Sequence, residues 1–133
     1  MNVKCDTKEK FHVITVVEPS LSATMTDKME ECLLSYLQND ASLPDRQVKN
    51  LVLILKDTNS IDMAAAEKLV HIQQKYYENN ASFVICELQK PVEEFLDKNE
   101  LLEIMNVTPT ESEAWDIIQM EEIEREFFSE DEN

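Results

Sequence analysis

The chain has 133 residues, of which 43 % are hydrophobic and 30 % are charged, a balance typical of one globular domain rather than of a disordered segment. Twenty-eight acidic residues against twelve basic ones give a formal net charge of -16. Such a charge repels phosphate backbones and anionic membrane surfaces, so we expect no nucleic acid and no lipid headgroup as partner.

The cysteines and the first residues indicate a cellular location. Cys5, Cys32 and Cys86 are an odd number of thiols, and none lies at a short metal-ligand spacing from another. No apolar signal segment opens the chain, and no apolar run reaches the roughly 18 residues that span a bilayer. We therefore expect a cytoplasmic protein without membrane insertion.

Strands and helices are expected to alternate after an initial hairpin, which predicts an α/β fold. The apolar and β-branched runs predict strands at Val3–Cys5, Phe11–Val17, Leu51–Leu55 and Ser82–Leu88. Helices are expected to start near Thr24, Asp62, Pro91 and Thr110. A polar connection, Asn39–Gln47, separates the first helix from Leu51–Leu55. That continuous apolar run is expected to be the central strand, covered on both faces.

Three helix starts carry capping residues. Thr24 with Asp27, and Thr110 with Glu113, have the spacing of capping boxes, and Asp62 is expected to cap the second helix. The chain contains no glycine, which excludes the glycine-rich loops that cradle phosphates in nucleotide-binding folds.

The residues do not favour an enzyme. His12 and His71 lack any metal-ligand spacing, and Cys86 lies in an apolar strand where burial would raise the pKa of its thiol. We therefore expect no catalytic residue, no metal and no cofactor.

One segment breaks this pattern, because the central strand ends in a polar loop and the next helix begins with very small side chains at 63–66. In open α/β sheets, ligands dock beyond the carboxyl ends of the strands, and an uncovered helix start attracts anions. A small-anion or nucleotide-binding domain that uses the helix start at 63–65 is therefore one hypothesis. A capped helix that packs closely through its alanines is the other.

From about Val3 to Ile118 the order of elements and residues resembles the STAS domain, the fold of bacterial anti-sigma-factor antagonists and of modules in stress-signalling complexes and sulfate transporters. In that family an apolar strand ends in Asp, two or three residues, an apolar residue, Asp, and Ser-Ser-Gly at a helix start. This chain has Asp57-Thr58-Asn59-Ser60-Ile61-Asp62-Met63-Ala64-Ala65 there. The family's last strand and helices are resembled by four segments: Phe83–Cys86, Pro91–Leu96, Leu101–Val107 and Thr110–Ala114.

The resemblance implies a mixed sheet of four to five strands that starts with an antiparallel hairpin and has about four helices packed against it. It also implies a non-catalytic protein-interaction module in signal transduction and transcription regulation. The implied partner is an anti-sigma factor, a kinase-like ATPase or another STAS protein. A STAS subunit of a transporter or of a stress-signalling scaffold is an alternative.

The implied partner-binding residues form a surface that we call the loop rim: Ser20, Ser22, Thr24, Thr58, Asn59, Ser60, Asp62, Met63 and Ala64. The family's phosphorylatable hydroxyl aligns with Ala64, which has no oxygen, so the resemblance implies constitutive binding without a phosphate switch. Thr58 and Ser60 are the nearest hydroxyls and are offset from that position. Pro19 stands near a position where the family commonly has glycine, and its loop is expected to flank Asp62.

The acidic excess is concentrated at the end of the chain. From Glu111 to Asn133 there are ten acidic residues against Arg125. We predict a single domain at 1–123 and an acidic extension at 124–133 that folding does not require, because it has little to bury except Phe127 and Phe128.

Overall fold

The computed structural model describes residues 1–37 and 49–131. Within them the strands are β1 (Val3–Thr7), β2 (Phe11–Val16), β3 (Ser20–Leu21), β4 (Asn50–Ile54), β5 (Ser60–Ile61), β6 (Phe83–Cys86) and β7 (Val107–Thr108). The helices are α1 (Thr26–Leu34), α2 (Met63–Glu78), α3 (Lys90–Lys98) and α4 (Glu111–Asp131), with 3₁₀ turns at Ala23–Met25 and Ser35–Leu37. The predicted polar connection Asn39–Gln47 lies outside the described residues.

A mixed sheet organises the described part of the chain, with five strands in the order β1-β2-β4-β6-β7. β1 pairs antiparallel with β2 as an edge hairpin, and β2, β4, β6 and β7 run parallel. The predicted hairpin and the central position of the Leu51–Leu55 run are therefore confirmed. The α/β fold with a mixed sheet and four helices is confirmed as well.

The alternating side chains of β4 bury both faces of the sheet. Leu51 and Leu53 belong to the larger core on one face, together with residues of α1, α2 and α3. Val52 and Ile54 point to the other face, where α4 supplies Ala114 and Ile118 with Trp115 and Ile117 packed against them. Each fully buried aliphatic side chain contributes roughly 2 kcal/mol of hydrophobic stabilisation, so β4 stabilises both layers.

Turns that other chains make with glycine are made here by larger residues. Asn80, Glu87 and Glu100 have φ values of 59°, 58° and 61°. In this left-handed region a residue with a Cβ costs about 1 kcal/mol or more relative to glycine. Asn80 lies just beyond α2, and Glu87 directly follows β6, which ends before the predicted limit at Leu88.

The helix starts agree with the sequence at Asp62 and Thr110 but not at Thr24. The Thr110 hydroxyl oxygen accepts a hydrogen bond from Glu113 N at 3.2 Å. The predicted capping box at Thr24 is wrong, because Thr24 lies inside a 3₁₀ turn and α1 begins at Thr26 without a side-chain cap.

Helix α4 continues through the predicted domain limit at Ile123 without a break and ends at Asp131. Arg125 Nη1 donates to Ser82 Oγ at 3.1 Å, and Arg125 Nη2 donates to Asn50 Oδ1 at 3.3 Å. One residue of the predicted extension therefore contacts the body of the domain, while the boundary itself stays a prediction. Among the described residues, no helix combines the length and the apolar character that a membrane span requires.

Candidate functional site

Two loops meet beyond the carboxyl ends of β2 and β4 and pair there as a short parallel ladder, β3 with β5. Asn59 N and Ser60 N donate to Pro19 O at 2.9 and 3.3 Å, and Asp62 N donates to Leu21 O at 3.0 Å. The expectation that the loop containing Pro19 flanks Asp62 is confirmed. The loop rim is therefore formed by two segments, some forty residues apart in the sequence, that are hydrogen-bonded to each other.

The Asp62 carboxylate fixes this junction. Its Oδ1 accepts a hydrogen bond from Ala65 N at 2.9 Å, which caps α2, and its Oδ2 accepts one from Ala23 N at 2.8 Å. One side chain thus satisfies two unpaired N–H groups, one at the start of α2 and one at the start of the 3₁₀ turn. The cap was predicted from the sequence, but the bond to Ala23 was not.

Thr58 does not lie on the surface, contrary to its predicted place in the loop rim. Its side chain is fully buried, and its hydroxyl donates to Glu18 O at 2.8 Å. Burial leaves this side chain no area to offer a partner, so its observed role is to tie the loop after β4 to the end of β2. We remove Thr58 from the candidate binding residues.

The other loop-rim residues are at least partly accessible. Met63 is 39 % exposed. Ser22 and Asp62 are half-buried, and the Ser22 and Thr24 hydroxyls lie 3.0 Å apart. The remaining members are exposed: Ser20, Thr24, Asn59, Ser60 and Ala64. The structure therefore brings eight of the nine predicted residues to one accessible region.

Buried neighbours support this surface from below. Ala65 and Ala66 are fully buried, and Leu21 and Ile61 lie in the same core cluster. The small side chains allow the first turn of α2 to pack closely on that core. The alanine-rich helix start thus has the packing role that the sequence left open, while Met63 and Ala64 of the same turn face outward.

A further support comes from a residue that sequence reasoning missed. Gln89, which precedes α3, donates from Nε2 to Lys56 O at 2.7 Å and so fixes the chain where it leaves β4. No local sequence pattern predicts this contact, since Gln89 and Lys56 are 33 residues apart.

Among the described residues, Cys86 and the two histidines do not supply the loop rim with an activated nucleophile. Burial, together with the charges of the neighbouring acids Glu87 and Glu111, raises the pKa of the Cys86 thiol to about 12. A thiol in that state is almost entirely protonated near neutral pH. His12 is buried in β2 with its Nδ1 3.0 Å from the Thr7 hydroxyl, and His71 lies on α2, so neither belongs to the loop rim.

Solved structures with the same fold span nearly the whole chain. A putative anti-sigma factor antagonist from Thermotoga maritima superposes with a TM-score of 0.69 at 18 % identity, covering 88 % of this chain and 94 % of that chain. An anti-sigma-factor antagonist (STAS) domain protein from Planctomyces limnophilus gives a TM-score of 0.70 at 17 % identity, covering 88 % and 97 %.

A part of a much larger protein has the fold too. The murine Solute Carrier 26 family member A9 anion transporter matches at a TM-score of 0.65 and 13 % identity, over 84 % of this chain but 18 % of the transporter. No curated protein matches the sequence significantly. The model of the STAS domain family matches residues 2–114. Since that span is most of the chain, the protein belongs to the STAS domain family.

Proposed function

We propose that this chain is a non-catalytic protein-interaction module that binds a protein partner on the accessible loop rim. The proposed contact residues are the eight that remain after Thr58 is removed: Ser20, Ser22, Thr24, Asn59, Ser60, Asp62, Met63 and Ala64. The observation that carries the proposal is the exposure of Met63 and Ala64 on a helix turn whose start is fixed by Asp62.

Such a surface suits protein binding for two physical reasons. Its backbone is already held by the β3–β5 ladder and by both oxygens of Asp62, so little conformational entropy is lost on binding. The unbranched Met63 side chain adapts its shape to an apolar pocket, and the small side chain of Ala64 beside it permits a close approach.

The names of similar proteins indicate the class of partner. Two structures with this fold are described as anti-sigma-factor antagonists, and a third is an anion transporter that carries the fold as a small part. We propose an anti-sigma factor, a kinase-like ATPase or another STAS protein as partner. A place in a transporter is the variant of this proposal that the third structure supports, and a place in a stress-signalling scaffold rests on the family resemblance alone.

Binding is proposed to be constitutive rather than switched by phosphate. Phosphorylation acts by adding about -1.5 to -2 charges and acceptor oxygens at an interface, and Ala64 has no hydroxyl to modify. Thr58 is buried and its hydroxyl is engaged by Glu18 O. Ser60 is exposed, but it is offset from the family's acceptor position, and it lies between Asp57 and Asp62, whose two charges oppose an added phosphate.

The small-anion or nucleotide-binding hypothesis is the weaker one. An anion at the start of α2 would compete with the Asp62 carboxylate, which already accepts from Ala65 N and from Ala23 N. Two negative groups at one helix start repel each other, so the dipole that would attract the ligand is already neutralised locally. Titration calorimetry with ATP and with inorganic phosphate should give no binding heat.

The substitution Met63→Glu tests the proposal. Binding to a kinase-like anti-sigma factor from the same organism should weaken at least tenfold, because burial of a charge replaces burial of an apolar side chain. Ile104→Glu is the matched control, since Ile104 is 55 % exposed and lies outside the loop rim. Both variants should keep the circular dichroism spectrum of the wild type. Unchanged binding by Met63→Glu, or an equal loss with Ile104→Glu, would place the interface elsewhere.

A further inference from the structure

Helix α4 carries three large apolar side chains on its outer surface. Met120, Ile123 and Phe127 are 55 %, 67 % and 61 % exposed. At 3.6 residues per turn they fall within an arc of about 60°. Ala114 and Ile118, which pack on the sheet, lie on the opposite side of the helix. We call Met120, Ile123 and Phe127 the outer stripe of α4.

The spacing of the outer stripe has the form that pairs with another helix. Steps of three and four residues put Met120, Ile123 and Phe127 at the a, d and a positions of a single heptad, so the stripe extends over two helical turns. Glu124 and Glu126 then occupy the flanking e and g positions, and both are exposed. The stripe is therefore an apolar seam bordered by negative charge.

These flanks decide which helix can pair with the stripe. A second copy of this chain would set Glu124 and Glu126 against the same acids, and each copy carries a formal charge of -16. An anionic membrane is repelled for the same reason. Lysine or arginine at the facing positions of a partner helix would instead form interhelical ion pairs.

We propose that the outer stripe of α4 binds an amphipathic helix of a different protein, with apolar residues along its seam and basic residues beside it. This surface is separate from the loop rim. The match to the family model ends at residue 114, before the stripe begins. Binding at the outer stripe therefore does not depend on the binding proposed for the loop rim.

A peptide experiment with the full chain tests the pairing. The probe is a synthetic helical peptide of three heptads with leucine at a and d and lysine at e and g, and its binding is followed by fluorescence anisotropy at low salt. A scrambled peptide of identical composition controls for charge alone, and a peptide with glutamate at e and g controls for sign. The first peptide should bind at least tenfold tighter than either control.

Variants of α4 locate the binding on the stripe. Met120→Gln combined with Ile123→Gln should weaken binding of the lysine peptide at least tenfold, whereas Ile104→Gln, an exposed apolar site outside α4, should leave it unchanged. Glu124→Lys combined with Glu126→Lys should reverse the preference toward the glutamate peptide. Circular dichroism checks that each variant keeps its helix content.

Three results would overturn the proposal. Equal binding of the lysine and scrambled peptides would mean that net charge alone attracts them. Unchanged binding by the double glutamine variant would place the peptide elsewhere on the chain. A dimer of the protein alone in sedimentation, dissociated by the double glutamine variant, would make a second copy the occupant.

Discussion

Removal of the Asp62 carboxylate should loosen the loop rim and lower the stability of the whole domain. Asp62→Ala deletes the cap on Ala65 N and the bond to Ala23 N. The lost cap costs about 1 kcal/mol, and the second hydrogen bond, near the surface, contributes about 1 kcal/mol more. The free energy of unfolding should therefore fall by about 2 kcal/mol.

Urea unfolding at neutral pH measures this loss of free energy. One variant separates the contributions of the two hydrogen bonds, and a second variant serves as the control. Asp62→Asn keeps a single acceptor oxygen and can serve only one of the two N–H groups, so about half of the loss is expected. Asp57→Ala removes a nearby exposed carboxylate and should change stability by less than about 0.5 kcal/mol. A loss below about 0.5 kcal/mol in Asp62→Ala, or an equal loss in Asp57→Ala, would refute the proposed role of Asp62.

Three further outcomes are expected. Truncation after Ile123 should keep one cooperative thermal transition and lower the free energy of unfolding by about 1 kcal/mol, because it removes the side-chain hydrogen bonds of Arg125. Arg125→Ala should lower it by the same amount. A loss of cooperativity in the truncated chain would contradict the predicted domain boundary. The free energy of unfolding measured in urea should fall as the pH rises above about 9. The pKa of the Cys86 thiol is about 12 in the folded protein and 9.0 in its ordinary state, so the thiol ionises first in the unfolded chain. A free energy of unfolding that does not change above pH 9 would contradict this. After incubation with the candidate kinase and ATP, the intact mass should show no added phosphate on the wild type and one on Ala64→Ser. A phosphorylated wild type would contradict constitutive binding.

Features that depend on local patterns could be predicted from the sequence. The continuous apolar run at Leu51–Leu55 indicated the central strand because only a strand covered on both faces needs apolar side chains at every position. Asp62 was predicted as a cap because an acidic side chain stood immediately before a helix pattern. The family resemblance then named the loop-rim residues, and eight of the nine lie in one accessible region beyond the carboxyl ends of β2 and β4.

Features that depend on distant pairing could not be predicted. Thr58 reads as a polar loop residue, but the meeting of two loops buries it and gives its hydroxyl the Glu18 carbonyl as acceptor. Thr24 has capping-box spacing, yet the nearby Ala23 N–H is satisfied by Asp62, 39 residues away, and a 3₁₀ turn forms instead. Arg125 reads as a lone cation in an acidic tail, and only the fold shows its contacts with Asn50 and Ser82.

Amide chemical shifts of the ¹⁵N-labelled protein, titrated with a kinase-like anti-sigma factor, test the central claim most directly because they report every contacted segment at once. We expect the largest changes at Asn59, Ser60, Met63 and Ala64, and the same titration of Met63→Glu should lose them. Changes confined to residues outside the loop rim, with these four amides unmoved at saturation, would contradict the proposed function.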